Sequence, residues 1–283
     1  MQNEKENNLS GFLIINKPKN ATSFDCIRYI KRILKQKIKI GHTGTLDDFA
    51  TGLLIICISR QTTRRINEFM NLDKEYVVKA KLGELTDSLD YTGKIIASNP
   101  FVSFDRLRTN GISNPFTINP IEKSKRINKK LNKPFVVSLS NHTNSISKED
   151  LQKVINEFPK SYIQVPPIYS ALKHKGKPLY HFARTKKLEE KELEEIAKQK
   201  SREVTIYELE LLDFEYPFFT VRTRVSKGTY IRSLANDIAQ KLNIPATTYE
   251  LERTKIGQIS LADAVNLNDL KSVDDIKDNL KML

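Results

Sequence analysis

Apolar residues fall along this chain in unbroken runs, in alternating stretches and in stripes at helical spacing, and each pattern predicts a different element. Gly11 to Asn16 is a short unbroken run ended by Lys17-Pro18, which predicts a buried strand closed by a proline. Ser23 is placed to cap a helix whose apolar positions Phe24, Ile27, Ile30, Ile33 and Leu34 keep a helical period. Arg28, Lys31, Arg32 and Lys35 cover its other face, and Lys37 and Lys39 follow. Leu53 to Ile58 predicts a second buried strand, and Ile66, Phe69 and Met70 a short helix. Tyr76, Val78, Ala80 and Leu82 then share one face of a half-buried strand, opposite Glu75, Lys79 and Lys81, with Val77 the single exception.

In the second half, Ser147-Lys148-Glu149-Asp150 opens a helix in the manner of a capping box, with Leu151, Val154, Ile155 and Phe158 inward. Lys186 to Lys200, rich in Lys and Glu, predicts an exposed helix with i,i+4 pairs. Arg202 to Phe214 and Phe218 to Val225 alternate on either side of Glu215-Tyr216-Pro217 and predict an antiparallel hairpin. Ser226-Lys227-Gly228-Thr229 turns into the clearest amphipathic helix of the chain, striped by Ile231, Leu234, Ala235, Ile238, Ala239 and Leu242. After Pro245, Tyr249 to Thr254 reads as a short helix or turn, Ile256 to Ile259 as a last strand, and the residues past Asn266 as a short polar tail.

Four stretches escape these patterns. Gly41-His42-Thr43-Gly44-Thr45-Leu46-Asp47-Asp48-Phe49-Ala50-Thr51-Gly52 has too much Gly and Thr for a helix and adjacent carboxylates that disfavour a strand. It reads as a shaped loop feeding the strand at Leu53, either an ordinary turn or a place for chemistry. Gly83 to Gly93, with Thr86, Asp87 and Asp90, is a polar turn-rich connection without the further His or carboxylate that would make a metal site. Ser98 to Asn144 is aperiodic, with eight Lys and Arg against Asp105 and Glu122, and has the composition of an insertion outside the core. Gln164 to Lys173 carries Pro166-Pro167 and reads as a stiff extended arm. Behind it Lys173, Lys175, Lys177 and Arg184 interleave with Tyr169, Tyr180 and His181, as on an RNA-binding surface or merely a rigid exposed loop.

Bulk properties narrow the class. Lys and Arg outnumber Asp and Glu by 47 to 34 in 283 residues, a formal charge of +13, which points to a polyanionic partner, nucleic acid ahead of a membrane, or to a merely soluble basic protein. Cys26 and Cys57 lie in apolar stretches without a second ligand at metal spacing, so small buried side chains in a reducing cytoplasmic setting are expected. No apolar run approaches the roughly 20 residues needed to span a bilayer. Arg232 stands in the first turn of its helix, where a cation opposes the helix dipole, and so calls for an anionic neighbour, either a side chain or a phosphate.

Taken in order, Asn16-Lys17-Pro18, Gly41 to Asp47 with Ala50 to Leu54, Lys74-Glu75-Tyr76 with Leu82 to Asp87, Gln164 to Lys173, Ser226 to Arg232, and Leu251 to Thr254 resemble the B-type (TruB) family of bacterial tRNA pseudouridine-55 synthases. The likeness covers nearly all of the chain except 98–144 and the tail. It implies a mixed α/β (α+β) pseudouridine synthase fold, a bent, mainly antiparallel mixed sheet with flanking helices and a central RNA-binding cleft. It implies a catalytic domain over 1–266, with 98–144 a basic insertion and 164–200 an RNA-clamping arm, and a short tail over 267–283. The substrate implied is the T stem-loop of tRNA, with no cofactor, no metal and no obligatory protein partner, in a cytoplasmic monomer.

Carried over residue by residue, the resemblance makes Asp47 the catalytic aspartate, pairs Arg232 with it, and places Tyr76 against the target base. Leu251 becomes an apolar wall of the pocket, Lys17 with Pro18 support for its floor, and His42 the side chain that enters the T-loop when the target nucleotide leaves the stack. Tyr230 and Lys173 fall among the substrate-binding residues. Such chemistry needs a base out of its helix, at a cost of a few kcal/mol, an ionised carboxylate held by a guanidinium, and a wall that keeps water from the detached uracil. Tyr76 offers both a stacking face and a phenol able to take the C5 proton. The chain departs from the family pattern in having Asp48 where Pro usually follows the catalytic aspartate, Asn16 for Asp, Glu252 for Arg, and the 98–144 insertion. The two readings outside this class are a tRNA-binding or tRNA-folding protein with little catalysis, and a magnesium-dependent phosphatase using Asp47 and Asp48.

Overall fold

The computed structural model describes residues 9–98 and 146–283; the insertion expected over 98–144 lies, but for its first residue, outside the described residues. The chain opens with β1 (Gly11–Lys17), α1 (Ser23–Leu34), β2 (Ile40–His42) and β3 (Thr51–Ile58), followed by two short helices, α2 (Arg60–Thr63) and α3 (Ile66–Met70). Next come β4 (Lys74–Leu82), β5 (Glu84–Thr86) and β6 (Ile95–Ser98). The second half runs through α4 (Lys148–Asn156), β7 (Ser161–Gln164), the tiny strands β8 (Lys173–His174) and β9 (Lys177–Pro178), α5 (Leu179–Thr185) and α6 (Glu190–Gln199). It finishes with β10 (Arg202–Glu215), β11 (Phe218–Val225), α7 (Ile231–Gln240), β12 (Ala246–Ile256), β13 (Ile259–Ser260), β14 (Val265–Asn266), α8 (Val273–Asp278) and β15 (Leu280–Lys281).

Eleven of these strands form one mixed sheet in the order β14-β1-β3-β12-β4-β11-β10-β7, with β2 added to β3, β13 to β12 and β15 to β1. Only β1 with β14 and β3 with β12 run parallel; the other pairs are antiparallel. The unbroken apolar runs are explained by burial on both faces of β1 and β3. Leu13, Ile15, Leu54, Ile56 and Ile58 pack under Cys26, Ile27, Ile30 and Leu34 of α1, while Phe12, Ile14, Leu53, Ile55 and Cys57 pack with Phe69 and Ile256 on the other side. Both cysteines are free and buried. The alternating strands β4 and β11 instead turn Val78, Ala80, Leu82, Phe219, Val221 and Val225 toward the stripe of α7 and toward Leu151, Val154 and Ile155 of α4.

Several expectations are corrected. Thr22, not Ser23, caps α1: its hydroxyl accepts from Asp25 N at 2.9 Å while Asp25 Oδ2 accepts from Thr22 N. Phe24, expected inward, is 56% exposed, and Cys26 takes the inner position. Tyr249 to Thr254 is not a helix or turn but the middle of β12, paired to β4 on one edge and to β3 on the other. Its alternation is disguised because the inward residue at 253 is an arginine, 1% exposed. The segment behind the arm contains α5 besides α6, and the two bury Leu179, Leu193 and Ala197 between them. Residues 267–283, expected as a polar tail, lay Leu267, Leu270 and Ile276 against α1 and β1. So few apolar residues mark a folded end only when the partner surface is known.

Helix α7 is anchored to β7 by a buried polar relay. Gln164 donates to the carbonyl of Tyr230 at 3.1 Å and accepts from its amide at 2.8 Å, gripping the residue that precedes the helix. Gln164 Nε2 also donates to the Tyr162 hydroxyl, which donates to Asp237 of α7 at 2.8 Å. Burial pushes the Asp237 carboxyl up to about 6. The folded protein therefore binds a proton there that the unfolded chain releases near its ordinary value of 3.8, so this group favours the folded state more as pH falls from about 6 to about 4. Asp237→Asn, which keeps an oxygen for Tyr162, is expected to raise the melting temperature relative to the wild type at pH 7.5 and to lose that advantage at pH 4.5. Thermal melts of both proteins at the two values check this, and an equal difference at both excludes the role given to Asp237.

Candidate active site

Strands β2 and β3 pair with Gly41 opposite Cys57 and His42 opposite Ile56, and the loop between them is pinned at both ends. Thr43 N donates to Ile55 O at 3.1 Å. The amide of Leu46 donates to Ser23 Oγ at 2.9 Å, joining the loop to the start of α1. Leu46, Phe49 and Ala50 sink into the core beneath α7, and Ala50 N donates back to Asp47 O at 3.1 Å, closing a tight turn. Apolar anchors on either side thus lift the Asp47 carboxylate out of the core; its side chain is 37% exposed and lines a cavity of about 840 Å³.

Two buried cations hold the main chain of this loop without a carboxylate of their own. Arg253 of β12 donates from Nε to Leu53 O at 2.8 Å and from Nη2 to Gly44 O at 3.2 Å, so one guanidinium spans the loop from its start to the strand that follows. Lys17, fully buried, donates from Nζ to Ala21 O at 2.7 Å, Pro18 O at 3.0 Å and Asp48 O at 3.3 Å. Burial lowers the Lys17 ammonium below its ordinary range. Asn20 N also donates to Asp48 O at 2.9 Å, while the Asp48 side chain faces solvent. The loop is therefore held through its carbonyls at the position where Asp48 departs from the family pattern.

The centre of the cavity is Arg232, 5% exposed in the first turn of α7. Its Nε lies 2.9 Å from Asp47 Oδ2 and its Nη2 donates to Asp47 Oδ1 at 3.2 Å, a two-pronged pairing. Nη2 also donates to Tyr169 O at 2.9 Å. Nη1 donates to Asp90 Oδ2 at 3.1 Å and to the carbonyl of Ser88. Four hydrogen bonds and the ion contact of Nε tie the guanidinium to the loop, the connection after β5 and the arm after β7. The anionic neighbour called for by a cation at a helix start is thus two side chains. His42 lines the same cavity; burial first, and then the positive Arg253, lower its pKa and favour the neutral ring, and its Nδ1 accepts from Gly44 N at 3.3 Å.

Of the eight site residues expected from the sequence, the structure brings His42, Asp47 and Arg232 together on the cavity wall. Tyr76, half-buried on β4, and Leu251 on β12 belong to the apolar cluster that holds Leu46, Phe49 and Ile231, one layer beneath the loop. Lys17 lies under the loop, Tyr230 precedes α7 with Arg202 5.0 Å over its ring, and Lys173 is exposed on β8; none of these three lines the cavity. Three contributors went unrecognised in the sequence: Asp90, Ser23 and Arg253. Asp90 is fixed by accepting from Thr92 N at 3.0 Å. Its signal was the isolated cation at the start of α7, which asked for a partner without saying which. Among the described residues no cluster of His, Cys, Asp or Glu is arranged to hold a metal ion, and no helix is long and apolar enough to cross a membrane.

This mixed sheet is shared with solved structures. It superposes on a chain in the structure of an H/ACA RNP bound to a substrate RNA containing 2′-deoxyuridine, with a TM-score of 0.55 and 21% identity over 92% of this chain and 52% of that one. It superposes likewise on a chain of a Cbf5-Nop10-Gar1 complex, with a TM-score of 0.58 and 21% identity over 96% and 59%. The present chain thus spans only half to three fifths of those chains, and at such identity the likeness concerns the fold. Sequence similarity goes further: the tRNA pseudouridine synthase B of Clostridium tetani (strain Massachusetts / E88) is 36% identical over 262 residues, 93% of this chain and 73% of that protein. The enzyme of the same name from Francisella tularensis subsp. novicida (strain U112) is 36% identical over 94% of this chain and 71% of its own length. With residues 31–123 and 128–231 matching the model of the TruB family pseudouridylate synthase N-terminal domain, the chain belongs to that family.

Backbone geometry at the loop generates a test. Gly52 has φ +103° where β3 meets β12, and a Cβ there would stand 2.4 Å from Arg253 O and 2.7 Å from Arg253 N. Neither backbone atom can move without breaking the sheet. Gly52→Ala is expected to destabilise the protein by about 3 kcal/mol, measured by urea unfolding, whereas Gly176→Ala, also at positive φ but with open space around its Cβ, should cost about 1 kcal/mol.

Proposed function

We propose that this protein is a tRNA pseudouridine synthase that isomerises uridine in the T-loop, with Asp47 as the attacking group. The observation that carries the reading is the Asp47 carboxylate, raised into a cavity by buried neighbours and gripped by a guanidinium that also holds Asp90. Isomerisation breaks the bond from C1′ to N1, forms one from C1′ to C5, places a proton on N1 and removes one from C5. Asp47 acts on C1′ or C6, and Arg232 orients its carboxylate for that attack and for release. The neutral imidazole of His42 enters the space left by the flipped nucleotide, a role for which an uncharged flat ring is suited. Tyr76 and Leu251, in the apolar layer beneath the loop, back the pocket from below in this reading and help to exclude water while the uracil is detached.

Lys17 acts at one remove, holding the loop carbonyls. Tyr230, at the start of α7, and the exposed Lys173 face the RNA backbone in this reading. The catalytic unit, expected over 1–266, takes in 267–283 as well, whose Leu267, Leu270 and Ile276 pack with α1 and β1; the 164–200 segment clamps the RNA, and the protein works as a cytoplasmic monomer without an obligatory protein partner. Support for tRNA as the substrate comes from the relatives' names and from the charge of +13. Asp48, exposed at the cavity and bonded among the described residues through its carbonyl to Lys17 and Asn20, has no step in the reaction.

The test is conversion of uridine in a T-arm stem-loop, followed by chemical mapping of pseudouridine because the product has the mass of the substrate. Asp47→Asn should lose at least about a thousandfold in rate with RNA affinity retained. Asp90→Asn should lower the single-turnover rate about tenfold, equivalent to about 1.4 kcal/mol, by freeing one side of Arg232. Wild-type activity in Asp47→Asn would refute the assignment, and binding without conversion by the wild type would leave a tRNA-binding protein. Full activity in a chelator excludes a magnesium phosphatase built on Asp47 and Asp48; loss of activity there overturns the proposal.

A further inference from the structure

Phe24 is the apolar residue that the α1 stripe does not bury. At 56% exposure it stands apart from Cys26, Ile27, Ile30 and Leu34 on the same helix, and it lines the cavity beside Asp47 and His42. One turn later Arg28 lays its guanidinium 5.5 Å from the ring centroid and pairs with Asp25, which also caps the helix. A second such unit lines the same cavity from a different part of the chain. Tyr180 of α5, 39% exposed, carries Arg184 5.4 Å from its ring, again one helical turn on. Among the described residues thirteen large apolar side chains are exposed, and Phe24 and Tyr180 are the two that line the cavity. Isolated exposed apolar residues are ordinary; two aromatic rings at one cavity, each with an arginine over it, are a pattern.

From this geometry we infer that Phe24 and Tyr180 are stacking platforms for unpaired nucleobases on either side of the one that enters the pocket, with Arg28 and Arg184 meeting the adjoining phosphates. The inference rests on the proposed RNA substrate and adds two binding residues to it. Single-stranded loop bases, unlike paired ones, present free faces, and an aromatic ring accepts any of them. A guanidinium over each ring limits its rotamers before RNA arrives and supplies charge where a base must be followed by its phosphate. The exposed Lys31 and Arg32 continue the positive charge along α1, so RNA seated on Phe24 has a path over that helix. Neither ring contributes to the core clusters, so each can be removed without opening a cavity in the protein.

The full-length protein and a T-arm stem-loop test it, by fluorescence anisotropy over a range of salt concentrations and by single-turnover conversion at saturating RNA. Phe24→Ala and Tyr180→Ala are each expected to weaken binding about tenfold with an unchanged salt slope, melting temperature and saturated rate. Phe24→Trp should bind as the wild type does. Arg28→Ala should instead lower the salt slope by about one. Wild-type affinity in both alanine variants overturns the inference, as does a loss that Phe24→Trp fails to restore. Failure of the catalytic reading looks different: the wild type then binds the stem-loop without converting it, and a tenfold loss on Phe24→Ala still supports stacking.

Discussion

One buried guanidinium organises the site. Arg232 is nearly inaccessible to water, so each of its N–H groups left without an acceptor would carry the cost of desolvation. Its partners come from segments far apart in the chain: Asp47 on the loop before β3, Ser88 and Asp90 after β5, and Tyr169 on the arm. Satisfying Arg232 therefore fixes where those three segments stand relative to α7. A buried ion pair is weak evidence for stability, because desolvation offsets the attraction. Its effect here is positional: the Asp47 carboxylate has both oxygens engaged while part of its surface faces the cavity.

The rest of the fold can be understood as support for that arrangement. Helix α7 is held by Gln164 and by the Tyr162–Asp237 contact, and its apolar stripe seats Arg232 at a constant height above β4. The loop is held from below by Leu46 and Phe49 and from behind by Arg253 and Lys17, two cations whose acceptors are main-chain carbonyls. Lys74 follows the same rule, capping the end of α3 by donating to the carbonyls of Phe69, Met70 and Leu72, and burial pushes it down to about 8. Carbonyl acceptors bind a cation without neutralising it. The protein beneath the loop thus remains positive, which suits a site approached by a phosphate-bearing chain.

Long apolar runs and stripes located their elements, whereas Ile256 to Ile259, expected as one strand, is the end of β12, a turn at 257–258 and the start of β13. The two unbroken runs are β1 and β3, buried on both faces, and the stripes of α4 and α7 are the helices predicted. Sequence reasoning failed where the inward residue is polar. Arg253 hides the strand β12, because an arginine at a core position looks like a solvent-facing one until its carbonyl acceptors are known. It failed at Phe24 for the converse reason: an aromatic residue in register with a buried stripe is indistinguishable from core until the strands beneath the helix are in place. The end of the chain was missed because Leu267, Leu270 and Ile276 are too few to signal burial on their own.

The sequence by itself determined the chemistry available and most of its placement along the chain. The motifs around Gly41 to Leu54 and Ser226 to Arg232 point to a family, and they carry the aspartate and the arginine that the structure pairs. Only the tertiary structure decided that Arg232 serves Asp90 as well as Asp47, that Tyr76 and Leu251 lie in the layer below the loop, and that Lys17 grips carbonyls instead of facing the cavity. Residue type and local period are one-dimensional facts, fixed by propensity and by the side a residue must bury. Which acceptor a buried cation finds depends on strands and loops more than a hundred residues away, as between Arg232 and Asp47 or Asp90 and between Arg253 and Gly44.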